Sequence, residues 1–378
     1  MMSNTKQNSG KPVKRITRLE YLSPEYVYYH IYNNNPKFFI NSKDQVFKET
    51  LLFEDNYMKN YSDISGQVMG MKTLDKKNYL VIKNDYHEKY TSVKSYRRKI
   101  SKLSKKEMLD ILVENEASNY SSDIKYFINN FETIDSLVLN LLICEDSQKI
   151  YSEVFNKHNS DILEVFDAIS QVFEITNPII MLSDTDDDNI EFVTNLSGMY
   201  PDIRIVLSHD KYPASHPLLI TRKLNLTNAL VLTSMDLYYL YSIIKRNKKV
   251  FEKTILITGN NLDADYYVTT KLNVLVSDLL SACNIKLKDD EVICKNSAIR
   301  AEVISLSDIV DTTVDAIIIA KKEESKPREC INCGLCNKNC PQGINPQIYK
   351  LNKLPFPGKC INCNMCSYVC PCKIRKDI

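Results

Sequence analysis

Two different periods of apolar residues divide the chain. Between residues 19 and 90 the apolar positions fall in short runs: EYVYYHIY (25–32), KFFI (37–40), KETLLFE (48–54), ISGQVMGM (64–71) and NYLVIKN (78–84). These runs are rich in Tyr, Val, Ile and Phe, and Asn, Asp, Ser and Gly separate them, notably at Asn33-Asn34-Asn35-Pro36 and Ser65-Gly66. Strands joined by tight turns are the expected result, packed as a small β domain of the barrel-sandwich type. From 91 to 252 the pattern changes, after a basic link over 91–103. Ser104 followed by Glu107 predicts a capping box, and Met108, Ile111, Leu112 and Val113 continue at helical spacing. DSLVLNLLIC (135–144), NPIIMLSD (177–184) and DIRIVLSH (202–209) are apolar runs of strand length, suited to burial on both faces of a sheet. Helical stretches are expected between and after them, at 148–175, 186–200 and 228–245. The alternation predicts a parallel α/β sheet. In the next stretch, KTILITGN (253–260), EVICKN (291–296), AEVISLS (301–307) and DAIIIAKK (315–322) read as strands, with a short helix at NVLVSDLLSAC (273–283). A charged linker, KKEESKPRE (321–329), leads to the C-terminal segment.

Composition narrows this picture in three ways. The formal net charge is only +2, so overall charge gives no support to a nucleic-acid partner. No run of apolar residues is long enough to span a bilayer as a helix. Residues 1–18 are polar and basic without the apolar stretch of a secretory signal, and a basic disordered tail is expected there. The acidic run Asp184, Asp186, Asp187 and Asp188 reads as the solvated start of a helix, where the helix dipole favours negative charge.

The chemistry is concentrated at the C-terminus. Cys-x2-Cys-x2-Cys-x3-Cys-Pro occurs twice, at Cys330, Cys333, Cys336, Cys340-Pro341 and at Cys360, Cys363, Cys366, Cys370-Pro371. This is the bacterial ferredoxin run for two [4Fe–4S] clusters, in which the fourth cysteine of each run ligates the other cluster. The expected ligands are Cys330, Cys333, Cys336 and Cys370 for one cluster, and Cys340, Cys360, Cys363 and Cys366 for the other. Each proline follows its crossing cysteine, has no N–H to donate, and helps turn the chain away. Zinc sites usually take two knuckles set farther apart, and disulfides need an oxidising compartment to which nothing in the sequence points. Cys372 has no place in the spacing and reads as a free thiol near a cluster. Cys144, Cys283 and Cys294 read as small core residues. Gly334 and Asn364 occupy equivalent places between the second and third ligands, where little room is expected.

The order of parts resembles the C subunit of the Rnf/Rsx electron-transport complex, a relative of the flavin-binding subunit of respiratory complex I. The cluster segment, with CSYVCP (366–371), Lys373 and Ile374, carries the likeness most specifically. Shorter matches are SGQV (65–68), VIKND (81–85), ICED (143–146), KYP (211–213), ILITGN (255–260) and VLVSDLLSAC (274–283). The resemblance implies a multidomain α/β protein: a small N-terminal β domain over 19–90, an α/β flavin-domain-like core over 91–252, a β-grasp-like module over 253–320, and a dicluster ferredoxin domain over 321–378. It implies FMN and NADH as further cofactors, membrane subunits of an Rnf-like complex as partners, and a soluble electron donor or acceptor such as ferredoxin or NADH. It places the protein in the cytoplasm, peripheral on the inner face of the cell membrane. Glu145 is carried over from the family's acidic motif as a nucleotide contact; a strand-end acid facing water is the other reading.

One departure from the family matters. A flavin and nucleotide site needs a glycine-rich loop, because backbone N–H groups must come close to phosphates. The corresponding stretch here, ENEASNYSSDIKYFINNFETID (114–135), contains no glycine, and between Lys11 and Thr258 the chain has only Gly66, Gly70 and Gly198. The sequence therefore supports an iron–sulfur relay of single electrons more strongly than an NADH:flavin oxidoreductase. An adaptor with structural clusters and a free-standing dicluster reductase remain open.

Overall fold

The computed structural model describes residues 14–33, 35–55, 58–91, 99–196, 198, 200, 202–300, 302–322 and 327–374. Most of the tail expected over 1–18, most of the basic link over 91–103 and part of the charged linker over 321–329 lie outside the described residues.

The N-terminal β part is built as the alternation predicts. An antiparallel sheet joins Tyr26–Ile31, Lys77–Asn84, Gly66–Leu74 and Gln45–Val46, and a smaller one joins Lys37–Phe38, Leu51–Asp55 and Met58–Tyr61. Gly66 permits this packing: a Cβ there would stand 2.0 Å from the Lys83 carbonyl oxygen. Val27, Tyr29, Leu52, Phe53, Val68 and Ile82 fill the core. That core is shared with the module near 253–320, whose Ile255, Ile257, Val268, Val276 and Ile317 belong to the same cluster. The two segments are distinct along the sequence and continuous in packing.

The module itself is a six-stranded mixed sheet in the order Arg15–Tyr21, Ala264–Lys271, Glu252–Gly259, Ala316–Lys321, Glu291–Lys295, Glu302–Ile304. The helix Val276–Ala282 buries Val276, Leu279 and Leu280 against its core. Two elements here differ from expectation. Arg15–Tyr21 is an edge strand paired in parallel with Ala264–Lys271, although it falls partly in the expected disordered tail. The strand RITRLEY alternates charged with larger side chains, a half-buried edge pattern that the neighbouring lysines obscured. Ala264–Lys271 had no sequence prediction, because ADYYVTTK is short on aliphatic residues.

The α/β region forms a four-stranded parallel sheet in the order Arg204–Ser208, Asn177–Ser183, Ser136–Asn140, Ala229–Thr233. Every residue of Ser136–Asn140 is buried, as a central strand of such a sheet requires. Lys149–Val172 and Ser234–Arg246 cover one face together with Lys105–Glu114 and Ser122–Asn130. The capping box at Ser104 and Glu107 is present. The helix expected over 228–245 is in fact two elements. Ala229–Thr233 is a strand, and a second capping box, Thr233 with Asp236, starts the helix Ser234–Arg246. The apolar run ALVLT joins MDLYYLYSII without a turn residue, so periodicity alone merged them. Asp187–Leu196 begins with Asp187 and Asp188 in its first turn, as the dipole argument expects. Among the described residues no helix is long and apolar enough to cross a membrane.

The C-terminal segment contains no strand among its described residues. Three short helices, Leu335–Lys338, Pro346–Leu351 and Met365–Tyr368, are separated by cysteine-bearing turns. So few apolar side chains are buried here that a core cannot hold the segment together, and a bound group must supply what packing does not.

Candidate metal centre and its contacts

The repeated motif folds twice into nearly the same turn. In the first copy Asn332 and Gly334 have φ of 56° and 68°; in the second Asn362 and Asn364 have φ of 52° and 58°. Left-handed residues alternating with ordinary ones turn successive N–H groups to one side and make a concavity suited to an anion. A Cβ at Gly334 would meet no protein atom within 4 Å. Its requirement is the left-handed backbone, which asparagine also tolerates, and this explains why Asn364 stands at the matching place.

Each turn lines one recess. The first is bounded by Cys330, Cys333, Cys336 and Cys370, with Ile331 and Leu351 beside them. The second is bounded by Cys340, Cys360, Cys363 and Cys366, with Ile361 and Phe356. Four thiols and an almost wholly apolar lining form a donor set that fits a [4Fe–4S] cluster. The eight cysteines sort into the two recesses with the fourth of each run crossing to the other. Among the described residues no group of three or more His, Cys, Asp or Glu could hold a single metal ion. Burial pushes the Cys336 and Cys363 thiols above their ordinary value, so the thiolate form needs a metal to hold it.

Cys372 also lines the first recess and is only 4% exposed. This agrees with the expectation of a free thiol near a cluster and says which of the two recesses it joins. The repeat accounts for it: Cys372 stands two residues after Cys370, as Gln342 stands two after Cys340, and Gln342 lines the second recess.

Several residues outside the motif hold the recesses in place. The Lys350 ammonium donates to the Cys366 carbonyl oxygen at 2.9 Å, the Ile374 carbonyl oxygen at 2.7 Å and Ser367 Oγ at 3.1 Å. Lys350 also lines the first recess, so one side chain joins that recess to the backbone of a cysteine of the second. Gln347 Nε2 donates to Asn332 Oδ1 at 2.8 Å and approaches Cys330 Sγ at 3.7 Å. The Arg328 backbone N–H donates to the Cys372 carbonyl oxygen at 2.9 Å. No spacing rule in the sequence points to Lys350 or Gln347.

The second recess is fastened to the rest of the molecule. Tyr212 Oη donates to the Cys363 carbonyl oxygen at 2.6 Å, from the loop that follows Arg204–Ser208. Asn364 Nδ2 donates to the Ile299 carbonyl oxygen at 2.7 Å, from the mixed-sheet module. Burial pushes the Tyr212 phenol well above its ordinary value, with Glu145 adding to the shift, so it stays a donor across the working range. Ile361 is 9% exposed, whereas its counterpart Ile331 is 66% exposed.

Glu145 lies in the loop after the central strand Ser136–Asn140. Its Oε2 accepts from Ser297 Oγ at 2.6 Å. Burial raises its carboxyl and the Ser297 bond and Arg300 oppose the rise. The reading of Glu145 as a strand-end acid facing water is corrected: it is tied to the mixed-sheet module, in a cleft lined also by Lys14, Gly259 and Tyr368. The glycine-free stretch 114–135 forms Ser122–Asn130 and two short 3-10 turns, Ala117–Asn119 and Phe131–Thr133. Ile124 and Phe127 of that helix are fully buried in the α/β core. A packed helix stands where a phosphate-binding loop was sought.

Residues 322–371 match the 4Fe-4S dicluster domain family. No curated protein matches the chain. Among solved structures, the NAD+-reducing [NiFe]-hydrogenase in the air-oxidized state is similar with a TM-score of 0.45 and 8% identity, over 57% of this chain and 46% of that one. The same enzyme in the H2-reduced state gives a TM-score of 0.43 and 9% identity, over 62% of this chain and 53% of that one. The chain spans about half the length of the solved chains it matches. The dicluster match supports [4Fe–4S] clusters and an iron–sulfur electron-transfer role.

Proposed function

We propose that this protein is an electron-transfer subunit of a membrane-associated, Rnf-like redox complex. Cys330, Cys333, Cys336 and Cys370 hold one [4Fe–4S] cluster, and Cys340, Cys360, Cys363 and Cys366 hold the other. Such clusters supply reversible one-electron transfer when bound. The observation that carries the reading is the sorting of eight thiols into two apolar recesses, the fourth cysteine of each run crossing to the other.

The chain's own residues bind, shield and orient. Ile361, Phe356 and Cys366 line the second recess and keep water from it. Lys350 places a positive charge beside the first recess, which favours the more negative, reduced state of its occupant. Tyr212 and Asn364 fix the second recess against the α/β sheet and the mixed sheet.

The α/β region serves in this reading as a scaffold for docking and not as a dehydrogenase. The buried helix Ser122–Asn130 in place of a glycine-rich loop supports that view. Glu145 remains the residue through which FMN or NADH would be contacted if the region binds either. Partners in this reading are membrane subunits and a soluble carrier, at the inner face of the cell membrane.

Iron, sulfide, zinc and flavin analysis of anaerobically purified protein, followed by electron paramagnetic resonance with dithionite, tests the proposal. About eight irons and eight sulfides per chain, with reversible reduction, are expected. Zinc in place of iron would overturn it. Iron present but silent over the accessible potential range would favour an adaptor whose clusters are structural staples. Stoichiometric FMN with bleaching by NADH would return dehydrogenase activity to the α/β region.

A further inference from the structure

The first recess holds one thiol more than a cluster needs. Cys330, Cys333, Cys336 and Cys370 line it, and so does the buried Cys372. The second recess is lined by four cysteines only. The same turn follows the crossing cysteine in both copies. The Gly343 N–H donates to the Cys340 carbonyl oxygen, and the Lys373 N–H to the Cys370 carbonyl oxygen, each at 3.1 Å. Gly343 and Lys373 close these turns with left-handed backbone, at φ of 63° and 55°. Each turn brings the residue two places after the crossing cysteine to the wall of the same recess. That residue is Gln342 in one copy and Cys372 in the other.

A buried cysteine is often a small apolar residue filling a core. Two observations count against that here. The equivalent place takes a half-buried glutamine, so the turn itself does not call for an apolar side chain. Among the described residues the Cys372 sulfur is also in no disulfide and makes no hydrogen bond, although it lines a recess with four other thiols. Arg328 holds the backbone beside it. The Arg328 N–H donates to the Cys372 carbonyl oxygen at 2.9 Å, and its Nη2 donates to the Pro371 carbonyl oxygen at 3.2 Å.

Place along the chain decides which ligand Cys372 can replace. Cys330, Cys333 and Cys336 come from one turn, and Cys370 is the single donor reaching this recess from the other copy. Cys372 shares the short turn of Cys370. A change confined to that turn exchanges one sulfur for the other and leaves the three local ligands where they are.

We infer that Cys372 is a reserve ligand of the first recess, binding the iron that Cys370 holds whenever the Cys370 sulfur is off it. This rests on the cluster assignment above and concerns how that site keeps its cluster. In the exchange the bond from iron to the Cys370 sulfur breaks and one to the Cys372 sulfur forms. The Cys372 thiol gives up its proton and the released Cys370 thiolate takes one up, because the thiolate is the form that ligates a metal. No electron moves, and four protein sulfurs remain bound. The second recess has no such reserve, since Gln342 supplies no thiolate.

The test compares variants of the full-length protein purified anaerobically, by iron and sulfide content and by electron paramagnetic resonance. Cys370→Ala is expected to keep about eight irons per chain, as the unaltered protein does, while Cys370→Ala with Cys372→Ala falls to about half. Cys340→Ala, with no thiol two residues on, is expected to fall to about half by itself. The double variant and Cys340→Ala also show the signal of a cube short of one iron, which Cys370→Ala lacks. Equal loss of iron from Cys370→Ala and from the double variant would overturn the proposal. If Cys370→Ala yields no folded protein, the second copy decides: Gln342→Cys is expected to restore iron to Cys340→Ala, and no recovery overturns the proposal. The unaltered protein reads the relay separately. A full iron content that dithionite does not reduce sinks the relay and leaves the ligand comparison standing, whereas zinc in place of iron sinks both.

Discussion

Ile331 and Ile361 occupy the same place in two copies of one motif, and one faces solvent while the other is covered. The backbone turns match, and the cysteine spacing matches. What differs is the surrounding protein. Tyr212 and the Ile299 carbonyl reach the second copy, and nothing comparable among the described residues reaches the first. A duplicated metal-binding turn is therefore symmetric in its ligands and asymmetric in its neighbours. The covered half is anchored to the fold, and the open half meets solvent.

The comparison can be broken most directly at the cysteines. Cys333→Ser and Cys363→Ser are each expected to lower iron by about half, because each removes a ligand of one cluster. Limited proteolysis should then separate them. Only Cys363→Ser is expected to expose the chain between the mixed sheet and the cluster segment, since only that turn is fastened to the body. Equal susceptibility of the two variants would remove the distinction between the halves.

Smaller effects sharpen the same contrast in holoprotein stability, measured by denaturant unfolding. Ile361→Ala is expected to cost about 2–4 kcal/mol as a buried truncation, against less than about 0.5 kcal/mol for Ile331→Ala at the open face. Asn364→Ala is expected to cost about 2 kcal/mol, combining a left-handed backbone without asparagine and the loss of its bond to Ile299. Gly334→Asn, the matching change in the first copy, should be close to neutral, because asparagine accepts that φ and Asn364 already stands at the equivalent place in the second copy. Tyr212→Phe removes one 2.6 Å hydrogen bond and is expected to cost about 1 kcal/mol. If Ile331→Ala proves as costly as Ile361→Ala, the first copy is covered too and the contrast is lost.

The cysteine spacing, the strand-and-helix alternation and the absence of a glycine-rich loop were all readable along the chain. Each depends on residues close in sequence: three thiols within seven residues, apolar runs of one strand's length, one missing residue type in one loop. Periodicity failed where two elements met without a turn residue, at Ala229–Thr233 and Ser234–Arg246, and where basic neighbours hid an edge strand at Arg15–Tyr21. Tertiary structure alone decided which copy of the motif is covered. The atoms responsible, on Tyr212 and Ile299, lie 151 and 65 residues from their partners, and no local pattern encodes a contact at that separation. It also decided which recess Cys372 joins: the sequence put this thiol near a cluster, and folding turned it into the first. Ligand identity is local chemistry written in the order of residues; exposure depends on everything else the chain brings near, and only the folded molecule adds that up.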